Sequence, residues 1–191
     1  MKRFLLVFQG VLFFLLGTVH LIREVNASDS VFCDDENRII SYNQTFDNSA
    51  KEESEEIARF LKEMHDSRLM DTEEGKLARD KGTTFEIRNY GTLMVTDQAI
   101  LDQEIIELAR SENVVLPSAL SPKKANALED LRKLNGKRFD KQFKRMIKKD
   151  HRRDIKYCKR ASNLNDKEVS SFAKQKLPLI KSHLEKLQKI K

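Results

Sequence analysis

The sequence contains no Trp, and only 6 Gly and 3 Pro in 191 residues. With so few breakers, long stretches are free to be helical. Lys, Glu, Leu and Asp are plentiful and favour helix. No alternating apolar run matches the helical stretches in length, so nothing points to a strand or to an all-β fold. There are two cysteines, Cys33 and Cys158, which excludes a disulfide-stapled scaffold. An exported chain permits one bridge between them. Cys158 lies on an apolar helix face and Cys33 in a polar stretch, so we read a small buried hydrophobe and a free thiol. No Glu-x-x-His pair occurs. No Ser or Cys stands in the motif of a hydrolase, and no nucleic-acid recognition motif is present.

Charge is abundant, and it is divided along the chain. Asp29–Glu112 holds 21 acidic and 10 basic residues, a net −11, whereas Lys123–Lys191 holds 23 basic and 8 acidic, a net +15. The whole chain carries +6. A basic half fits a polyanion or an anionic lipid surface. Two helical hairpins of opposite sign packed on each other explain the same split, and we prefer that reading because the compensating charge lies in the same domain.

Read along its length, the chain has three parts: 1–27, 28–50 and 51–191. Lys2 and Arg3 precede the uncharged run Phe4–Ile22, and Val25-Asn26-Ala27 offers small residues at the positions a signal peptidase prefers. Cleavage after Ala27 is our first expectation, and an uncleaved N-terminal membrane anchor the second. Either places the rest in the periplasm or cell envelope. Ser28–Ala50 is polar and weakly periodic and reads as a tether.

Helical periodicity begins near Lys51 and runs to Lys81, with an inner stripe of Ile57, Phe60, Leu61, Met64, Asp71, Gly75 and Ala78. Thr83-Thr84-Phe85-Glu86 reads as a capping box opening a second helix that ends near Glu112. Ser121-Pro122 opens a short helix, and Phe139–Ala161 is a third long one. Asn165 with Glu168 suggests the next cap. A fourth long helix follows to the C-terminus, where Pro178 is expected to bend or divide it. Four long helices with short loops predict an all-α, up-down antiparallel four-helix bundle, with a short extra helix in the middle connection.

The third long helix has an unusual inner face. At about 100° per residue, Phe143, Ile147, His151, Asp154 and Cys158 point one way, with Asp150 at the edge. Burying such groups is costly unless they pair or bind a metal. Each long helix offers an inward polar residue: Asp71, then Gln98 beside Asp97, then His151 with Asp150 and Asp154, then His183. Asp and His donated by several helices of one bundle are how carboxylate metal sites are built, so Asp71, His151, Asp154 and His183 are candidate ligands for Fe, Mn or Zn. A hydrogen-bonded network that fixes helix register accounts for them equally well. Asp71 then pairs with His183 or Arg68. His65 is expected at the surface or boundary. The basic face that includes Lys148, Lys149, Arg152, Arg153 and Lys156 fits solvent or anionic headgroups; no nucleic-acid partner is expected.

Six segments occur together in a fixed order: DTEEGKLA (Asp71–Ala78), MVTDQ (Met94–Gln98), NVVLP (Asn113–Pro117), LNGKRFD (Leu134–Asp140), IKKDHRRDI (Ile147–Ile155) and FAKQKLPLIKSHL (Phe172–Leu184). Over about Ile57 to Gln188 the chain resembles the exported, ferritin-like bundles catalogued as domain of unknown function four-one-four-two, often labelled predicted outer-membrane proteins. The resemblance implies a secreted four-helix bundle and no particular activity. The family's first helix usually carries Glu where this chain has Asp71, and its second usually reads Asp-His where this chain has Asp97-Gln98. We expect a non-enzymatic envelope or stress-related structural module. The alternatives are a metal-binding or oxidoreductase-type bundle and, third, an anionic-surface binder.

Overall fold

A computed structural model of the chain describes residues 35–191, with side chains from residue 48 onward. The expected targeting segment, its expected cleavage position after Ala27, and Cys33 lie outside the described residues. Within them the fold is all-helical: α1 (Asp35–Lys81), α2 (Phe85–Ser111), α3 (Pro122–Arg132), α4 (Gly136–Ala161) and α5 (Lys167–Lys189). Among the described residues no helix is long and apolar enough to cross a membrane.

α1 starts at Asp35, well before the periodicity that begins near Lys51. The stretch 35–50 contains neither Pro nor Gly, so nothing in it stops the helix from extending backward. The other helix starts show local chemistry shifted by a residue or redirected. Thr84, not Thr83, caps α2, accepting from the Ile87 N–H at 3.3 Å. The Thr83 N–H and hydroxyl both donate to Asp140 of α4. Pro122 is the first residue of α3, as expected. Its predecessor Ser121 gives no side-chain cap; its N–H and hydroxyl both donate to Asp66 at 2.9 Å. Asp166 caps α5 through the Val169 N–H at 2.8 Å. Asn165 instead donates to Glu53, at the far end of the molecule from the α1–α2 turn. Gly136 opens α4 at φ +59°, where a side chain would be strained.

α5 runs unbroken through Pro178. Proline removes one N–H from the ladder, but Pro178 and Lys174, whose carbonyl loses its donor, are both exposed, so water can satisfy that carbonyl.

The helices pair by their apolar faces: α1 with α2, α4 with α5, and α1 also with α3 and α4. α1 and α2 run in opposite directions, since His65 reaches Asp102 while Gly75 lies against Gly91. The two glycines let these helices nearly touch. A Cβ on Gly91 would stand 2.6 Å from the Gly75 carbonyl oxygen and from the Arg79 nitrogen. Because three helices pack on it, α1 is buried on most of its circumference between Met64 and Arg68.

The apolar interior forms two clusters. One gathers Phe60, Leu61, Met64, Leu101, Ile105, Cys158 and Val169. The other gathers Met70, Ile87, Tyr90, Met94, Leu131, Phe139, Phe143 and Ile147. Burial of each large side chain contributes on the order of 1.5–3 kcal/mol.

Candidate functional site

The polar layer is built from α1 and α4, with contributions from α2, α3 and α5. α1 supplies Asp66, Ser67, Arg68, Asp71 and Glu74, and α4 supplies Asp150, His151 and Asp154; all are buried. Gln98, Lys124 and His183 complete the buried set from α2, α3 and α5.

Arg68 is its centre. It is 0% exposed, and its Nη2 donates to Asp71 Oδ2 at 2.9 Å and to Asp154 Oδ2. The Ser67 hydroxyl donates to Asp154 Oδ1 at 3.1 Å and accepts from Lys124 Nζ and from Arg153 Nη2. Lys124 also pairs with Asp66, and Arg153 with Asp150 at 3.0 Å. Of the residues singled out in the sequence, Asp71, His151 and Asp154 come together, with one donor atom from each lying within 4.8 Å of the others. The Arg68 guanidinium contacts both of the carboxylates.

His183 faces elsewhere. Its Nε2 lies 2.8 Å from Asp97 Oδ2 and its Nδ1 3.4 Å from Gln98 Nε2. Its ring centre is 5.7 Å from that of His151. Gln98 and Asp97 therefore hold His183 from the α2 side. His151 is fully buried, and among the described residues its ring makes no well-formed hydrogen bond, only a loose contact with the Ile147 backbone one turn earlier. The nearest carboxylate oxygen to its Nδ1, Asp71 Oδ2, is 3.9 Å away. Burial, aided by the Arg68 charge, holds His151 well below the ordinary histidine range. Burial also lowers His183, against the opposing effect of its Asp97 bond. Both imidazoles are thus neutral near pH 7.

The carboxylates shift the other way. Burial pushes Asp71 up to about 7, with Arg68 opposing and Asp154 and Asp150 adding to the rise. Glu74 is held well above its ordinary value, first by burial and then by the charges of Asp71 and Asp150. Asp150 is raised by burial, against Arg153. Glu74 Oε1 and Oε2 and Asp71 Oδ1 have no hydrogen-bond partner among the described residues. A second trio, Asp71, Glu74 and Asp150, again offers donor atoms within 4.8 Å of one another.

Four residues escape the sequence reading, Asp66, Ser67, Glu74 and Lys124, as does the full burial of Arg68. Glu74 and Ser67 flank the apolar stripe of α1 and look solvent-facing in isolation. The only signal is spacing: Arg68, Asp71 and Glu74 follow one another at i, i+3 on one helix. His65 is buried rather than at the boundary, with Nδ1 2.6 Å from Asp102 and Nε2 3.0 Å from the Pro117 carbonyl. Both partners lie far along the chain. Cys158 is buried and free, and burial pushes its thiol up to about 12. On the outer face of α4, Arg145, Lys148, Lys149, Arg152, Arg153 and Lys156 line one open groove.

The family model described as "Domain of unknown function (DUF4142)" matches residues 43–190. No curated protein matches the chain, and no solved structure does.

Proposed function

The chain belongs to the DUF4142 family, and on that premise we propose that it is an exported, non-enzymatic envelope module, a ferritin-like up-down four-helix bundle held in register by a buried ion-pair layer. The observation that carries this is Arg68. A guanidinium already sits against Asp71 and Asp154, two of the candidate metal ligands, and supplies the positive charge that a cation would otherwise bring. Alternative helix registers would leave Arg68 or its carboxylates buried without a partner, and removing one member of such a pair costs about 3–5 kcal/mol. The layer therefore selects one packing arrangement, which suits a structural module better than a reaction centre. Export rests on the N-terminal pattern Met1–Ala27. Purification of the periplasmic or envelope fraction, followed by N-terminal sequencing, tests it. A cytoplasmic, full-length chain would overturn that part of the proposal. The structural role is tested by equilibrium unfolding of Arg68→Met, which should lose cooperativity as well as stability.

A second reading, contact of the α4 groove with anionic headgroups, is favoured by six cations lining one surface. Binding to vesicles containing anionic lipid should weaken steeply as salt rises; salt-independent binding would count against it.

A further inference from the structure

We infer that Asp71, Glu74 and Asp150 form a binding site for one hard divalent cation of the Mn2+, Mg2+ or Ca2+ type. It is entered through the cleft between α1, α3 and α4. This goes beyond the register role of Arg68 and uses the carboxylate oxygens that Arg68 leaves unengaged.

Three observations converge. The first is geometry. Oxygens sharing a cation at about 2.1–2.5 Å are separated by at most about 5 Å. One oxygen from each of Asp71, Glu74 and Asp150 meets that limit, all lying within 4.8 Å of one another. Asp71 and Glu74 stand three residues apart on α1, and Asp150 faces them from α4, so the scaffold is helix on both sides.

The second is the unpartnered side chain. Glu74 is 0% exposed, and neither of its oxygens has a hydrogen-bond partner among the described residues. Asp71 Oδ1 shares that condition. A buried carboxylate in this position is stable only with a cation or a proton.

The third is charge. Around Arg68 there are five buried carboxylates, Asp66, Asp71, Glu74, Asp150 and Asp154, against three cations, Arg68, Lys124 and Arg153. With all five ionised the shortfall is two positive charges, which one divalent cation supplies in place of protons. Three carboxylates and no thiolate or thioether select a hard ion over Cu or a structural Zn site. The other trio, Asp71, His151 and Asp154, is closed to the same ion because Arg68 occupies its carboxylates.

Access is present. A cleft of about 410 Å³ is lined by Asp66, Met70, Lys124, Met146, Asp150 and Arg153 among others. Asp150 belongs both to the trio and to the cleft wall, so an ion arriving in the cleft meets a ligand first.

The test is titration of the full chain, stripped with chelator, with Mn2+ followed by loss of the free-ion electron paramagnetic resonance signal. One equivalent should bind, and Mn2+ should raise the melting temperature. Glu74→Gln and Asp150→Asn should each weaken binding at least about tenfold, since even outer-shell changes commonly cost that much. Asp97→Asn, outside the trio, should bind as wild type does. Asp150→Asn, at the cleft, keeps the test decisive if Glu74→Gln does not fold. A cooperatively melting wild type that binds no Mn2+ overturns the proposal. So does binding that Asp97→Asn weakens as much as the trio variants do. A protonated-carboxyl infrared band that persists at saturating Mn2+ and vanishes in Glu74→Gln also overturns it, because a proton then holds the place of the ion.

Discussion

Two trios share Asp71 and have opposite fates. In Asp71–His151–Asp154 a guanidinium is built into the chain and touches both carboxylates. In Asp71–Glu74–Asp150 Arg68 still holds Asp71 and Arg153 pairs with Asp150 at the cleft side, but the Glu74 oxygens are left unpartnered. The donor geometry of the two is alike. What separates them is Glu74: Arg68 holds both carboxylates of the first trio, whereas no side chain among the described residues bonds the third carboxylate of the second. An internal cation makes a carboxylate cluster a permanent part of the fold, whereas its absence leaves the cluster responsive to protons and ions.

The comparison can be broken in several places. The largest effect should come from Arg68→Met, which strands Asp71 and Asp154 and is expected to cost about 3–5 kcal/mol in denaturant unfolding. A loss below about 1 kcal/mol would mean the ion pair does not hold the layer. Gly91→Val should cost about 1–3 kcal/mol by forcing α2 away from α1 at Gly75, beside Glu74; an unchanged midpoint would show that the close contact is dispensable.

The third test uses pH, in chelator. Asp71, Glu74 and Asp150 have folded values raised above their unfolded ones. The folded state therefore holds more protons, and the stability these groups confer is lost as pH rises towards about 7. His151 and His183 are lowered below 6.5, so their contribution is lost as pH falls below 6.5. The two sets oppose each other in wild type. His151→Leu should tilt the balance, making stability rise further as pH drops from about 7 towards 4.5 than it does in wild type. Parallel profiles for variant and wild type would refute the assignment of His151 as a buried neutral imidazole.

A smaller effect is expected from Glu74→Gln without divalent ion. It should change stability by less than about 1 kcal/mol at pH 7, because a carboxyl held neutral by burial is replaced by an isosteric neutral group. A loss comparable to that of Arg68→Met would erase the distinction between the trios. Least of all, Cys158 should resist alkylation in the native protein at pH 8, its thiol being buried and raised to about 12; rapid labelling would mean that the α4 face opens.

Much of the architecture was legible in the residues because it rests on local rules. The scarcity of Gly and Pro made the chain helical, and the 3.6-residue period set the inner faces. On α4, Phe143, Ile147, His151, Asp154 and Cys158 are all buried, as that period requires. Pro122 marked the start of α3 for an equally local reason, its fixed φ. Helix starts were less legible. Thr83, Ser121 and Asn165 have the right chemistry to cap, but each is drawn to a distant carboxylate, Asp140, Asp66 or Glu53. Each of these side chains meets its carboxylate only in the packed molecule, and sequence spacing does not contain that information.

The sequence by itself determined which helices form and that a polar layer crosses the core, because amphipathic period and breaker placement act within a few residues. It also placed Asp71, His151 and Asp154 on inward faces. Only the tertiary structure decided what those groups meet. Packing α2, α3 and α4 around α1 buries flanking positions that a lone helix would leave in water, and so turns Arg68 and Glu74 from surface charges into opposite poles of one layer. The cost of an unpaired buried charge depends on neighbours brought from distant parts of the chain, and Arg68 meets Asp154 only when α1 and α4 are packed together.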